Sequence, residues 1–174
     1  MAVHAIAMQH CLRALKEGGR AAILIKEDFL ATGGVVGKVR EKLLEQVNNI
    51  SVVSLPRGLF KPYTPTKTSI LYFEKGGNRR STFFFVVRNV GYTFGAKQTS
   101  TEENDLPNVL SAIHNVNNIT QPIEYHIEDK NTIVENKNSL WGYDYKESLP
   151  PERDIEGNLE KLENHIQRSW QYKT

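Results

Sequence analysis

Twelve residues, PRGLFKPYTPTK, separate two apolar segments, Ile50–Leu55 and Thr68–Phe73. They combine three prolines and one glycine with Phe60, Tyr63, Arg57, Lys61 and Lys67. Proline stiffens such a connection, while aromatic rings and cations on a loop suit stacking on planar groups and meeting anions. A second polar stretch, Lys26-Glu27-Asp28 through Thr32-Gly33-Gly34, follows another apolar segment. There Asp28 is read either as a helix-entry residue or as pocket lining, and the glycine pair as a turn or a close approach to a ligand. Other chemistry has little support. The chain has no glycine-rich nucleotide loop, no phosphate-binding loop with its lysine, and no metal-ligand spacing. His4 and His10 lie six residues apart on one helical segment and do not share a ligand-ready face, and His114, His126 and His165 are isolated. Ser51, Ser54 and Ser69 have no strand-to-helix elbow and no evident base, which argues against nucleophilic catalysis. The acid pairs Glu27-Asp28 and Glu102-Glu103 are ordinary loop residues.

A length of 174 residues supplies one sizeable core rather than several. With 39% hydrophobic and 24% charged residues the composition is that of a soluble globular domain, and a formal charge of +2 neither requires nor excludes a nucleic-acid partner. Cys11, the single cysteine, rules out a disulfide framework or zinc pattern and reads as a core residue. No run has transmembrane length and the first residues lack the signal-peptide pattern, so no membrane association is expected and cytoplasm is the default.

The elements that must position the loop follow from periodicity. Residues 3–17 read as a helix with Ile6, Ala7, His10, Ala14 and Leu15 on its apolar side, stopped by Gly18-Gly19. Arg20–Ile25 is uniformly apolar inside and reads as a central strand covered on both faces. Residues 35–48 form an amphipathic helix with Val35, Val39, Leu43 and Val47 inward, broadened by Val36 and Leu44, and with Lys38, Arg40, Glu41 and Lys42 on a solvated face. Ile50–Leu55, Thr68–Phe73 and Thr82–Val87 are strands. The first crossover suits a parallel unit, whereas the last three strands, with no helix between them, must be antiparallel neighbours or sit apart. Arg88–Thr93 reads as a turn with Tyr92 free to stack or pack. Asn104–Pro107 starts a short helix with Leu106, Val109, Leu110 and Ile113 as its stripe. Residues 122–149 are polar, with a short helix around Glu128–Glu135. After Pro150-Pro151, a stripe of Ile155, Leu159, Leu162, Ile166 and Trp170 predicts a terminal helix.

Several of these stretches, in order, resemble one family. GGRAAILIKEDFL (residues 18–30), GVVGKVREKLL (34–44), SLPRGLFKPYTPTKTSILYF (54–73), RNVGYT (88–93) and NDLP (104–107) are similar to the adenine-N6 DNA methyltransferases, and most similar to the modification subunit of type I restriction systems. The resemblance implies an α/β fold: part of a Rossmann-like, S-adenosylmethionine-dependent methyltransferase fold, a mixed sheet flanked by helices, with a C-terminal helix. Residues 20–25, 50–55 and 68–73 would be its fifth, sixth and seventh strands, the last inserted antiparallel between the other two. Residues 1–120 would be the C-terminal half of a catalytic domain, 121–149 a polar extension and 150–174 a connector helix. The family's glycine-rich cofactor motif and its Asn/Asp-Pro-Pro-aromatic catalytic motif have no counterpart in this sequence.

The activity implied for the complete enzyme is methyl transfer from S-adenosylmethionine to the exocyclic N6 of an adenine taken out of the DNA stack. The isolated chain is expected to hold no cofactor, to carry no catalytic residue and to be inactive alone. By resemblance Phe60 would stack on the target base, Arg57, Lys61 and Lys67 are candidate DNA contacts, and Asp28, Tyr63 and Thr68 are candidate pocket lining. No metal is implied. The implied partners are DNA and the specificity and restriction subunits of a type I complex. The alternative is a non-catalytic interaction or assembly module derived from a methyltransferase fragment, including a homodimer of the chain.

Overall fold

In the computed structural model, residues 3–76, 80–94 and 97–145 are described. The expected terminal helix within 150–174 lies outside them. The account below concerns the unit that ends at Asp144. Its elements run α1 (Val3–Ala14), β1 (Arg20–Lys26), α2 (Asp28–Ala31), α3 (Gly34–Gln46), β2 (Val47–Ser54), β3 (Thr68–Lys75), β4 (Ser81–Val86), β5 (Val90–Tyr92), β6 (Ser100–Asn104), α4 (Leu106–His114), β7 (Glu124–Asp129) and α5 (Lys130–Glu135), followed by a 3-10 turn at Gly142–Asp144.

Five strands form one sheet in the order β1-β3-β2-β4-β7. β3 is antiparallel to both β1 and β2, with Leu71 opposite Ile23 on one side and Val52 on the other. β1 and β2 are therefore parallel, and the strand after the proline-rich loop sits between them, as the resemblance implied. β4 does not pair with β3. It lies on the far side of β2, parallel to it, with Val53 opposite Phe85. Just after β3, Gly76 bridges Val47 at the start of β2. β7 closes the far edge, antiparallel to β4.

The sheet buries both faces around β2 and β4. Val53, Leu55, Phe83 and Phe85 on one face pack with Val87, Val90 and the α4 residues Val109 and Ala112. Their alternates Ile50, Val52, Leu71, Phe73 and Phe84 are buried on the other face. There the chain after α5 crosses so closely that a Cβ on Gly142 would stand 3.1 Å from both Phe84 and His126, whose rings stack at 4.6 Å.

Several sequence expectations are corrected. β1 is an edge strand, not a central one. Its only pairing among the described residues is with β3, and Leu24 is 47% exposed, so its apolar run is only half covered. α1 buries Ala5, Met8 and Leu12, while Ile6, Ala7, His10 and Ala14 face outward; the helix packs against α3. Cys11 is half-buried rather than core. In α3 Val35 is exposed, whereas Arg40, assigned to the solvated side, is 1% exposed. In α4 Val109 and Ala112 are buried, while Leu106 and Leu110 are exposed. Arg88–Thr93 is more than a turn, since Val90–Tyr92 pairs with Ser100–Asn104 in a separate two-stranded sheet. Within the stretch read as an extension, Glu124–Asp129 forms the fifth strand of the main sheet, so the fold has no boundary at residue 120. Asp129 caps the helix after it by accepting from the Asn131 amide at 2.8 Å.

Two cations, the half-buried Lys75 and the buried Arg40, tie the layers together. Lys75 Nζ donates to the carbonyls of Leu12 and Leu15 at 2.8 and 2.9 Å, closing the C-terminal end of α1 onto the end of β3. Arg40 donates to the carbonyls of Phe29 (2.6 Å), Thr32 (2.7 Å), Ala31 (3.3 Å) and Asn138 (2.9 Å). One guanidinium thus satisfies the loop after β1 and the turn after α5 together.

Arg40→Met keeps the apolar stem but orphans those carbonyls, and urea unfolding is expected to show a loss of about 3 kcal/mol or more. A second prediction concerns pH. Burial lifts the Glu128 carboxyl above its ordinary value of 4.5. A raised folded-state pKa means that the fold prefers the protonated acid. Its contribution is therefore best at acid pH and declines as pH rises through the raised value. Glu128→Gln is expected to melt above the parent at neutral pH but not below the ordinary glutamate range, as paired thermal scans would show.

Candidate functional site

The proline-rich connection leaves the carboxyl end of β2 and folds on itself. Lys61 N donates to Gly58 O at 3.1 Å, Thr64 N to Phe60 O at 3.0 Å and Thr66 N to Thr64 Oγ1 at 3.1 Å. Gly58 has φ +82° and its open α-carbon lies against the Lys61 stem, which favours glycine there. The Lys61–Pro62 peptide is cis. These short-range bonds hold the loop over the sheet without burying it. Phe60 is half-buried, packed against the core cluster that contains Leu55 and Val90. Tyr63 projects outward, 93% exposed.

Under this loop lies a cavity of about 670 Å³, lined by Phe60, Lys61, Tyr63, Leu24, Leu55 and Tyr92 among others. The volume falls in the range of about 300–1,000 Å³ usual for small-ligand pockets. The structure therefore gathers Phe60, Lys61 and Tyr63 at the carboxyl ends of β1 and β2. Arg57 is exposed on the same turn but does not line the cavity. Asp28 is the exposed first residue of α2 and faces a different cavity, about 360 Å³, with His4, Lys26, Thr32 and Val36. Thr68 is buried at the start of β3, and its hydroxyl has no hydrogen-bond partner among the described residues.

Lys67 has a different setting from Arg57 and Lys61. Its Nζ lies 2.9 Å from Glu27 Oε1, with both side chains about four-fifths covered (18% and 19% exposed). The same nitrogen stands 5.0 Å from the centre of the Tyr143 ring. Ser54 Oγ donates to Glu27 Oε1 at 3.5 Å, and Glu27 N to Lys67 O at 3.1 Å. This cluster joins the loop after β1, the end of β2, the entry to β3 and the 3-10 turn. Sequence reasoning passed over Glu27 as an ordinary loop acid and left Tyr143 without a role. Neither has a local signal, because their partners are far apart in the chain.

The RNVGYT and NDLP stretches also prove to be one structure. Asp105 Oδ2 accepts from the amides of Arg88 and Asn89, each at 2.8 Å, and Asp105 N returns a bond to Asn89 O at 2.9 Å. Gly91, at φ +78°, lets Asn104 approach to 3.3 Å of where a Cβ would stand. Arg88 pairs with Glu124 at 2.6 Å, and that carboxylate raises the guanidinium pKa further. Among the described residues no group of His, Cys, Asp and Glu could hold a metal ion, and no helix is long and apolar enough to cross a membrane.

If Lys67 is held by both Glu27 and Tyr143, then Lys67→Met and Tyr143→Leu should be non-additive. A double-mutant cycle by urea unfolding is expected to give a coupling of about 0.5–1 kcal/mol.

Comparison with known proteins agrees with this geometry. The N-6 DNA Methylase family model matches residues 3–147. The Escherichia coli type I restriction enzyme EcoEI methylase subunit is 37% identical over 78 residues, covering 45% of this chain and 16% of that protein. Among solved structures, the type I restriction-modification methyltransferase subunit of Streptococcus thermophilus is similar with a TM-score of 0.64 and 25% identity, over 80% of this chain and 29% of that one. A chain from a study of the assembly and conformational transition of the type I R-M system has a TM-score of 0.66 at 23% identity, over 98% of this chain and 38% of its own length. The chain thus spans well under half of the relatives it matches. Its strand order, its loop over the carboxyl ends and the family match across residues 3–147 together place it in the N-6 DNA methylase family.

Proposed function

We propose that this chain forms one wall of the adenine pocket of a DNA adenine-N6 methyltransferase, the modification subunit of a type I restriction-modification system. The observation that carries the reading is the position of Phe60. It is half-buried on the loop leaving β2, lines the cavity under that loop, and the loop is held where β3 turns back between β1 and β2. A ring anchored on one side and open on the other suits stacking on an unpaired base, worth about 1–3 kcal/mol per base. Adenine N6 is a weak nucleophile because its lone pair delocalises into the ring, so positioning of the base matters as much as any acid or base.

Arg57 and Lys61, exposed beside that ring, would meet the phosphates flanking the target base. Lys67 would act less on DNA than on the loop, through Glu27. Tyr63 would lie at the cavity mouth, with Thr68 beneath the loop and Asp28 in the neighbouring recess. The family's cofactor and catalytic motifs have no counterpart in these 174 residues, so S-adenosylmethionine and the amine-holding groups are assigned to a complementing segment. The edge of β1 that has no partner among the described residues, with the half-exposed Leu24, is where that segment would join, or, in the alternative reading as an assembly module, a second copy of the chain. DNA and the specificity and restriction subunits would be the further partners of the completed protein.

The test mixes this chain with a separately expressed segment of a related modification subunit that carries both missing motifs. Transfer from radiolabelled S-adenosylmethionine to DNA is then measured. Transfer is expected only from the mixture, and Phe60→Ala should lower it about tenfold or more. Transfer by the chain alone, or a mixture indifferent to Phe60, would refute the reading.

A further inference from the structure

The hairpin β5–β6 is poorly explained by folding alone. All five residues of β6 are exposed, so it adds almost nothing to the core. Yet the hairpin is secured at both ends. Asp105 clasps its base through the Arg88 and Asn89 amides. Toward its tip, Gln98 Nε2 donates to Leu59 O at 3.1 Å, one residue before Phe60. The chain also closes on itself there, with Thr93 N donating to Thr99 O at 2.9 Å and Thr99 N to Thr93 Oγ1 at 3.0 Å. The main product of this bracing is the placement of Val90 and Tyr92. A register shift between them leaves Val90 buried at 7% exposure and Tyr92 out at 53%, and both line the cavity that Phe60 lines.

A half-exposed tyrosine on a rigid hairpin keeps a flat apolar ring and a polar tip available at little entropic cost. Here it belongs to the same cavity as a second ring carried by a different loop, and a direct hydrogen bond fixes the two loops to each other. We infer that the hairpin is a second wall of this cleft, and that Tyr92 makes an aromatic contact with an unpaired purine lodged there. Gln98 is then a positioning residue, which sets the separation of the walls through the Leu59 carbonyl. The inference rests on the reading of Phe60 above and deepens it. It supplies a contact for the base, or for the nucleotide beside it, that lies outside the proline-rich loop.

The test uses the full chain and a single-stranded oligonucleotide with one 2-aminopurine, whose emission is quenched when its ring stacks. The chain is expected to quench the probe, and Tyr92→Ala to weaken binding about tenfold, comparably to Phe60→Ala. Tyr92→Phe, which keeps the ring, should bind as the parent does. So should Leu110→Ala, which removes an exposed apolar side chain from α4 that does not line the cavity. Gln98→Glu, unable to donate to the Leu59 carbonyl, should bind with reduced quenching. Tyr92 is half-exposed, so thermal melting of Tyr92→Ala should match the parent and exclude misfolding. If Phe60→Ala weakens binding and Tyr92→Ala does not, the second wall is refuted while the reading of Phe60 stands. If neither weakens it, or the parent leaves the emission unchanged, the cavity takes another occupant and the inference falls. The reconstitution assay decides the methyltransferase reading separately.

Discussion

The constraint on which this fold depends is the return of β3 between two strands that are parallel to each other. A strand that enters such a slot must satisfy the backbone of both neighbours at once, and here it does so over nearly its full length. That geometry dictates the rest. The chain leaves β2 at its carboxyl end and must re-enter beside it from that same end, so residues 55–67 stay there. The loop after β1 ends beside the entry to β3 for the same reason, which is why Glu27 and Lys67 meet although they lie forty positions apart. A proline-rich link suits the task. It limits the conformations available to a segment that has no strand or helix to hold it.

The elements that were legible in the sequence are those with strong local periodicity. The helices at 3–17 and 35–48 and the strands beginning near Arg20, Ile50, Thr68 and Thr82 are present with shifts of a few residues at their ends. The antiparallel insertion was available only through resemblance, since apolar alternation does not say which strand lies next to which. The errors also have physical causes. Arg40 reads as a surface residue because it sits in a cluster of charges with Lys38, Glu41 and Lys42, yet its acceptors are main-chain carbonyls, which leave no trace in composition. β7 leaves no apolar signal because its half-covered positions are Glu124, His126 and Glu128, while its apolar residues Tyr125 and Ile127 are exposed. Tyr92 was seen as an available ring, but not as part of the site, because the bulge that turns it outward is a property of pairing with β6.

The candidate site combines two kinds of support. Phe60 and its neighbours are held by contacts internal to their own loop, which local chemistry can specify. The cavity itself exists only because distant pieces converge: Leu24 from β1, Ile70 from β3, Val90 and Tyr92 from the hairpin, and Leu106 from α4. Sequence reading therefore identified the residues most directly tied to the proline-rich segment and left out the opposing side. Around them, Lys67 and Lys75 show how a cation can serve architecture. One is engaged by a carboxylate and a ring, the other by helix-end carbonyls, and position in the fold rather than residue type separates them from Arg57 and Lys61.

The grip of Arg40 on the Asn138 carbonyl has a practical corollary. Leu140, fully buried, adds a bond from its amide to the Leu30 carbonyl, so the polypeptide is sewn to its own earlier part past the end of α5. A shortened version designed from residue 120, where the sequence turns polar, would lose the outermost ribbon of the sheet and one of the acceptors that a buried guanidinium relies on. The minimal autonomous unit should therefore be cut no earlier than the 3-10 turn at Gly142–Asp144.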